Sequence, residues 1–564
     1  MIRKFDNHEI RKVQVLDGFW KFATDKANEG SQNNWFIDGF EGKSVYVPSC
    51  WNTELGLLEY DGVCWYERDF LFEGGTLNLE FGAVMTKADV YLDGKYLGEH
   101  YGGFTAFNFI VPNVEKGYHK VTVKVDNSFD AHSIPQTVVD WFHYGGITRS
   151  VTAEKLSGVS ILHNCFKYDL DGNKATCFFD VELYNACDKT VSDDVKIYIG
   201  GNLVTTLSVT MDAYSTATFT TDKFELTNLL LWSTSSPNLY DVKIVSSTDD
   251  LFDRVGFRKI EVKNKKIYLN GEEIIFTGVN RHEENTENGM AFPPSLMQRD
   301  LDIIKQMNCN SIRGSHYPNN KIFVDMLDES GITFWSEIPI WGCGFKPETL
   351  ADPVVIERGL AMHKEMVKQY CNHPSILMWG MHNEIHSEVN EGLEMTKVYY
   401  EYLKSVNDGR LVVFASRFPL DDLCYEYCDV ICFNLYHGWY YSEISDWDKF
   451  VEDLDAYLEK LGQSDKPIIA SEFGSAAIYG YHTFDDIRWT EEYQARLFDY
   501  TIDLFLNKKG YAGTYIWQFA NIRTCQQMGL NRARGYNNKG VVDEYRRPKT
   551  AYYTVKDAYA KYKK

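Results

Sequence analysis

Long apolar runs and an excess of basic residues are both missing from the sequence. No run approaches the ~18–20 apolar residues that a membrane span needs, so no transmembrane helix is predicted. The 564 residues carry 58 Lys and Arg against 80 Asp and Glu, a formal net charge of −22. A surface of this sign does not attract nucleic acid or anionic membranes at long range, so neither is expected as a partner. An enzyme this acidic would need a local basic group to take an anionic substrate.

The sequence also lacks closely paired cysteines and an N-terminal apolar segment. Two positive charges, on Arg3 and Lys4, are followed by no apolar stretch, so no signal peptide is predicted. The twelve cysteines are scattered, as reduced and buried thiols are, and a cytoplasmic location is therefore expected. Cys424, Cys428 and Cys432 recur every four residues but have no fourth ligand nearby, so no metal site is predicted.

The chain is long and rich in aromatic side chains. A chain of 564 residues is too long for one domain, and about two to four domains are expected. Aromatic residues make up 15% of the chain, with 13 Trp and 37 Tyr. Most of them should fill cores, although some can form flat platforms for sugar rings.

The first 155 residues alternate apolar and polar positions in short segments, which predicts β-strands. Asp93-Gly94 separates two such segments and is a strong hairpin signal. No helix of convincing length intervenes, so residues 1–155 are predicted to form a β-sandwich of the jelly-roll type. Shorter alternating segments continue over residues 156–256 and predict an immunoglobulin-like β-sandwich without a catalytic cluster.

From residue 257 to residue 564 the pattern changes to short apolar strands that alternate with helices. The strands are Ile274–Val279, Ser311–Arg313, Ile332–Trp335, Ile376–Trp379, Leu411–Phe414, Val430–Phe433, Ile468–Ala470 and Ala512–Trp517. The clearest helices are Asp352–Tyr370, Gly392–Val406, Lys449–Leu461 and Glu491–Leu506, and Ser295 with Gln298 resembles a capping box. Eight βα units in this span predict a (β/α)8 TIM barrel, whose chemistry collects at the C-terminal strand ends.

Two of these strands share the same apolar build and the same ending. The fourth strand runs out into Asn383-Glu384, and the seventh runs out into Ser471-Glu472. Two glutamates at the C-terminal ends of buried strands are what a glycosidase needs, one as proton donor and one as nucleophile. Glu337, at the end of the third strand, is a third candidate.

Other polar residues fall at the same ends of neighbouring strands. Arg313 and His316 lie at or just past the second strand, and Tyr436 follows the sixth. Arg313 could keep Glu472 ionised, because a nearby cation favours the charged carboxylate. An ionised Glu472 would in turn help Glu384 to hold its proton near neutral pH.

The sequence resembles glycoside hydrolase family 2 over nearly its whole length. The motifs that carry the resemblance are Gly278-Val-Asn-Arg-His282-Glu, Ser315-His-Tyr-Pro318, Gly380-Met-His-Asn-Glu384 and Ser471-Glu-Phe-Gly474. The resemblance implies a retaining glycosidase without a metal or organic cofactor, in which Glu384 is the general acid/base and Glu472 the nucleophile. It further implies that Asn383 bonds the sugar 2-hydroxyl, that His316 lies among the substrate-binding residues, and that Trp517 forms a wall under the sugar.

The sugar is indicated by the segment Asn537-Asn-Lys539-Gly. The β-glucuronidases of the family resemble one another in an Asn-x-Lys followed by Gly, which binds the C6 carboxylate. An ammonium and an amide suit this group, because charge-assisted hydrogen bonds are strong. The loop that holds Tyr436 and Tyr440 also resembles its glucuronidase version, so both residues are expected to contact the sugar or the aglycone. Terminal β-D-glucuronides, as small conjugates or in oligosaccharides, are the implied substrates.

Two departures from the glucuronidase pattern and several alternatives stay open at this point. Glu284 is expected among the substrate-binding residues, although many glucuronidases have Asp at this position. The segment Trp341–Asp352 is short, which implies an open active-site mouth. A β-galacturonidase differs only at C4 and would also use Lys539, whereas a β-galactosidase would not. A non-catalytic carbohydrate-binding protein would have lost a catalytic glutamate. Family likeness also implies a homodimer or homotetramer.

Overall fold

The computed structural model describes residues 3–562, which form two β-sandwiches followed by a closed barrel. The predicted fold class is confirmed, and each of the three parts has its own buried apolar core. Within the described range no helix is long and apolar enough to cross a membrane.

The first sandwich follows the alternating pattern at the start of the chain. Its strands are β1 Lys12–Val15, β2 Gly18–Asp25, β3 Lys43–Val47, β4 Val63–Phe72, β5 Gly75–Phe81, β6 Val84–Met85, β7 Lys87–Leu92, β8 Lys95–Tyr101, β9 Phe107–Val114, β10 Gly117–Asp126, β11 Gly146–Ile147 and β12 Val151–Leu156, with a short helix α1 Trp35–Asp38. The two main sheets have the orders β1-β12-β5-β9 and β3-β2-β4-β10-β7-β8. Asp93 and Gly94 join β7 to β8 with φ of 51° and 79°, the left-handed backbone that a tight hairpin turn requires.

The second sandwich is built from the shorter alternating segments. Its strands are β13 Val159–Asp171, β14 Lys174–Asn185, β15 Val191–Ile199, β16 Asn202–Met211, β17 Thr216–Thr220, β18 Phe224–Leu226, β19 Tyr240–Val245 and β20 Asp250–Val255. One sheet is β13-β14-β17 with β18 also beside β14, and the other is β16-β15-β19-β20. A small sheet of β21 Ile260–Lys263, β22 Lys266–Leu269 and β23 Glu272–Ile274 leads from it into the barrel.

The barrel consists of parallel strands that close in chain order. They are β24 Phe276–Arg281, β25 Ser311–Gly314, β26 Thr333–Glu337, β27 Ile376–Asn383, β28 Leu411–Ser416, β29 Ile431–Asn434, β30 Ile468–Glu472 and β31 Gly513–Ile516. All eight predicted strands are confirmed, in the predicted order. Every residue of β27 is buried, which explains why the strand has an apolar run instead of an alternation.

Helices surround the barrel, largely at the predicted places. They are α2 Pro294–Gln306, α3 Lys321–Ser330, α4 Pro347–Leu350, α5 Pro353–Tyr370, α6 Asn390–Val406, α7 Asp446–Leu461, α8 Glu491–Ile502, α9 Gln526–Gly529 and α10 Thr550–Ala560, and a last pair of strands is β32 Ile522–Arg523 and β33 Tyr536–Asn537. The predicted capping box is wrong, because α2 begins at Pro294 after an N-cap at Pro293 and Ser295 already lies in the first turn. Proline suits this first position, since it has no N–H to satisfy.

A loop of the first sandwich, between β10 and β11, reaches the C-terminal face of the barrel. Its Trp141 lies 5.5 Å from the ring of His316 and 6.1 Å from the ring of Trp341, both of which belong to barrel loops. Residues of two domains therefore meet where the barrel strands end.

Candidate active site

The candidate glutamates stand at neighbouring positions on the C-terminal rim of the barrel. Glu472 is the last residue of β30, Glu337 is the last of β26, and Glu384 directly follows β27. Arg313 lies in β25, and Asn434 ends β29. Because the strands are parallel and the barrel is closed, all five side chains belong to one ring of strand ends.

Glu472 is buried, and both of its oxygens accept short hydrogen bonds. Arg313 Nη1 donates to Oε1 at 2.7 Å, and the Tyr436 hydroxyl donates to Oε2 at 2.7 Å. Burial and the neighbouring Glu384 carboxylate raise the pKa of Glu472 to about 8, while Arg313 and Tyr436 act in the opposite direction. Both partners stabilise the ionised form, as a nucleophile requires.

Glu384 is only partly buried, and its side chain accepts a hydrogen bond from the Asn434 amide. Asn434 Nδ2 donates to Oε1 at 2.9 Å, and burial raises the pKa of the carboxyl group. Its backbone has a φ of 53°, and its N–H donates to the Ala415 carbonyl at 2.9 Å. A side chain at Gly342 would collide with the Glu384 carbonyl, since a Cβ there would lie 1.5 Å from that oxygen, so the overlying loop needs glycine.

A chain of hydrogen bonds links the two glutamates. Arg313 Nη2 donates to Asn383 Oδ1 at 2.7 Å, and Asn434 Nδ2 donates to the same oxygen at 2.9 Å while it also holds Glu384. Since each ionised carboxylate disfavours the ionisation of its neighbour, we expect the pair to keep one proton near neutral pH. The guanidinium and the hydroxyl that donate to Glu472 favour the negative charge on that residue.

Glu337, the third candidate, is fully engaged by other side chains. Arg313 donates to it twice, each time at 2.9 Å, and His316 Nδ1 lies 2.7 Å from Oε1. Burial and Arg313 keep the pKa of His316 well below its ordinary value, so the imidazole is neutral and donates from Nδ1. Glu337 thus orients Arg313 and His316. His316 Nε2 lies 3.8 Å from Glu472 Oε1, and its ring stacks on Trp517 at 5.2 Å.

Lys539 and Asn537 form a second, basic part of the same site. The buried Lys539 Nζ donates to the Tyr440 hydroxyl at 2.6 Å and lies 4.6 Å from the centre of that ring. Burial and Arg532 lower the pKa of Lys539 to about 7, whereas the charges of Glu472 and Glu384 act to raise it. Since the side chain is buried, the ammonium does not point into bulk solvent.

Two residues of this basic part were missed by the sequence analysis. Asp140, from the loop of the first sandwich, accepts from Arg532 Nη2 and from Asn537 Nδ2, each at 2.8 Å. Arg532 also donates from Nη1 to the Tyr440 hydroxyl at 2.8 Å. Arg532 could have been noticed as a basic residue shortly before the Asn-x-Lys segment. No pattern in the alternating strands singles out Asp140.

Glu284 lies apart from the glutamates at the strand ends. The Tyr144 hydroxyl, from the first sandwich, donates to its Oε1 at 2.8 Å, and burial raises its pKa to about 7. Among the described contacts, none joins the Glu284 side chain to Glu384, Glu472 or Lys539. Its predicted contact with the sugar stays a prediction. Tyr440, in contrast, lies in the site with its ring about half exposed.

The arrangement is suited to the hydrolysis of a glycoside that bears a negative charge. One buried carboxyl group accepts from a guanidinium and a hydroxyl, and a second, partly buried one accepts from an amide. Two carboxyl groups in one site are the pairing that glycoside hydrolysis uses. An ammonium and an amide beside them can bind a carboxylate by charge-assisted hydrogen bonds.

Comparison with known families gives consecutive matches along the chain. Residues 260–564 match the TIM barrel domain of glycosyl hydrolases family 2. Residues 13–156 match the sugar binding domain of that family, and residues 159–258 match a third family 2 domain.

Individual relatives are similar over the whole length of the chain. A β-glucuronidase of Paenibacillus borealis is 26% identical over 96% of this chain and 96% of its own. A solved family 2 β-galacturonidase of Eisenbergiella tayi, bound to galacturonate, is 34% identical over 100% of this chain and 99% of its own, with a TM-score of 0.93. The β-glucuronidase of Ruminococcus gnavus is 26% identical over 99% of both chains, with a TM-score of 0.88.

Proposed function

Because the chain belongs to glycosyl hydrolase family 2 and is a glycoside hydrolase, we propose that it removes terminal β-D-glucuronic acid from its conjugates with retention of configuration. Glu472 attacks the anomeric carbon while Glu384 protonates the leaving oxygen, which gives a glycosyl ester on Glu472 and a free aglycone. The Glu384 carboxylate then takes a proton from water, and the water oxygen displaces Glu472. Glucuronic acid is released in the β-configuration.

Lys539 is the observation that supports a uronide over a neutral sugar. A buried ammonium is costly unless an anion meets it, and the group to which Lys539 Nζ donates is the neutral Tyr440 hydroxyl. A C6 carboxylate would fill this role, with Asn537 beside it. A galactoside or glucoside would offer only a hydroxymethyl group at that position.

A galacturonide is the second candidate, and a specific observation favours it. The Eisenbergiella β-galacturonidase is 34% identical to this chain, against 26% for the Ruminococcus β-glucuronidase. The two sugars differ only in the orientation of the C4 hydroxyl and present the same carboxylate to Lys539. We use the term β-hexuronidase for an enzyme that hydrolyses either β-glucuronides or β-galacturonides. The proposal of a β-hexuronidase holds whichever C4 configuration the enzyme prefers.

Parallel assays on chromogenic substrates test the proposal. We expect kcat/KM for 4-nitrophenyl β-D-glucuronide or β-D-galacturonide to exceed that for the matching glucoside or galactoside by about 10²- to 10³-fold, because a neutral C6 leaves the buried ammonium unpaired. The ratio between the two hexuronides measures the C4 preference. Faster turnover of a neutral sugar than of its hexuronide would refute the proposal.

The affinity for a free hexuronate is expected to depend on pH through Lys539. Its pKa is lowered to about 7, so the ammonium is present below this pH and is lost as the pH rises through it. The Kd of D-glucuronate, measured by calorimetry, should therefore increase by up to about tenfold per pH unit above pH 7. A Glu472→Gln variant, which removes the other site group whose pKa lies in this range, should show the same increase. An unchanged Kd between about pH 6 and pH 9 would contradict this role.

A further inference from the structure

A second cation lies at the mouth of the site, beside the acid/base. Arg417 directly follows Ser416, the last residue of β28. The neighbouring Ala415 carbonyl accepts the backbone N–H of Glu384 at 2.9 Å, so positions 384 and 417 are held close together by the barrel itself. Arg417 is partly buried, and its guanidinium lies 5.1 Å from the centre of the Phe418 ring.

The charge of this guanidinium acts on two groups at the mouth. Among the nearby charges, that of Arg417 acts most strongly to lower the pKa of Glu384, against the larger raising effect of burial. It also acts to lower the pKa of Tyr441, on the loop after β29, whose pKa burial raises. The charges that act most on Lys539, in contrast, are those of Arg532, Asp140 and the two glutamates. Arg417 follows β28, whereas Lys539 follows β33 and donates to Tyr440 on the loop after β29, so the two cations belong to different segments of the rim.

The chemistry of the proposed reaction assigns the two parts to different ends of the substrate. Glu384 must protonate the oxygen between the sugar and the leaving group, so the leaving group lies against Glu384 when the bond breaks. Lys539 and Asn537 are assigned to the C6 carboxylate of the sugar. Arg417 stands on the rim next to Glu384 and is partly exposed, so a leaving group bound against Glu384 comes within reach of its side chain.

We propose that Arg417 forms a binding site for a carboxylate on the leaving group, which makes the preferred substrates uronides of acidic aglycones or of a further uronic acid. This inference rests on the proposed hexuronidase function. A guanidinium has several N–H donors in a planar fork, so it can keep its contacts within the protein and still bind a carboxylate. Local cations are needed for such substrates, because the net charge of −22 repels a dianion.

The test compares two leaving groups in two proteins. The substrates are the β-D-hexuronides of 3-hydroxybenzoic acid and of its methyl ester, which differ in one negative charge. In the Arg417→Met variant, kcat/KM for the acid should fall about 10- to 100-fold further than kcat/KM for the ester, because only the acid loses a charge-assisted bond. Arg417→Lys should restore part of the difference. Arg496→Met, which removes an exposed cation on α8, is the matched control and should not change the ratio.

Two other outcomes would contradict the role of Arg417, and a third would contradict the hexuronidase function. Equal losses on both substrates, with the alkaline limb of the pH profile moved upward, would mean that Arg417 acts only on Glu384, and the proposal would be wrong. A ratio unchanged within about twofold would also overturn it. Failure of the parent protein to hydrolyse the neutral ester would instead refute the hexuronidase function, whatever the variants do.

Discussion

Replacement of Glu472 by alanine is expected to abolish hydrolysis, with a loss in kcat of about 10⁴- to 10⁶-fold. The carboxylate accepts from Arg313 and Tyr436 in a buried position, and no other described carboxylate is held in the same way. Without it, the glycosyl ester cannot form, and neither partner of Glu472 can attack the anomeric carbon. Steady-state assays with 4-nitrophenyl β-D-glucuronide and β-D-galacturonide would measure the loss.

Azide gives this experiment an internal control. In the Glu472→Ala variant, azide can occupy the vacated space and attack from the same face as the nucleophile, which gives the inverted α-glycosyl azide. In Glu384→Ala it should instead attack the intact glycosyl ester and give the β-azide. Glu337→Gln is the matched variant, since Glu337 is engaged by Arg313 and His316, and it should form no azide product. Near-parental hydrolysis by Glu472→Ala would assign the nucleophile to another residue.

Replacement of Lys539 by methionine is expected to remove most hexuronide turnover, with a loss in kcat/KM of about 10²- to 10³-fold. The substrate carboxylate would then lie near Asp140 without the ammonium that offsets their repulsion. Turnover of the neutral galactoside or glucoside should hardly change, because those sugars do not use the ammonium. The ratio of the hexuronide to the neutral substrate is the measurement, and an unchanged ratio would exclude Lys539 from the site.

Protein stability distinguishes this loss from a failure to fold. Burial lowers the pKa of Lys539 to about 7, so the folded protein holds the ammonium at an energetic cost near neutral pH. Methionine removes that cost while it keeps most of the apolar stem. The Tm of Lys539→Met should therefore equal or exceed that of the parent protein.

The barrel could be predicted from the sequence because its strands are short and apolar and recur between helices. Counting these strands assigned Glu384 to the end of the fourth strand and Glu472 to the end of the seventh, where the structure has them. Asn537 and Lys539 were identified by the resemblance of their segment to the Asn-x-Lys of the family's β-glucuronidases. Their pattern is local.

Contacts between distant segments could not be predicted in this way. Asp140 belongs to a loop of the first sandwich and meets Arg532 and Asn537 only because that loop folds over the barrel. The proximity of Arg313 to Glu472 was predicted, but its second contact, with Glu337, was not and depends on the closure of the barrel. The prediction of a capping box at Ser295 was wrong for a local reason, because the preceding prolines already define the start of the helix.

Covalent trapping tests the central claim most directly. The parent protein would be incubated with 2-deoxy-2-fluoro-β-D-glucuronosyl fluoride or its galacto epimer, and the labelled peptide identified by mass spectrometry. We predict one sugar per chain, attached to Glu472, and no label from the matching 2-fluoro sugar with a hydroxymethyl group at C6. A label on Glu384 or Glu337, or equal labelling by the neutral sugar, would contradict a hexuronidase in which Glu472 is the nucleophile and Lys539 binds the carboxylate.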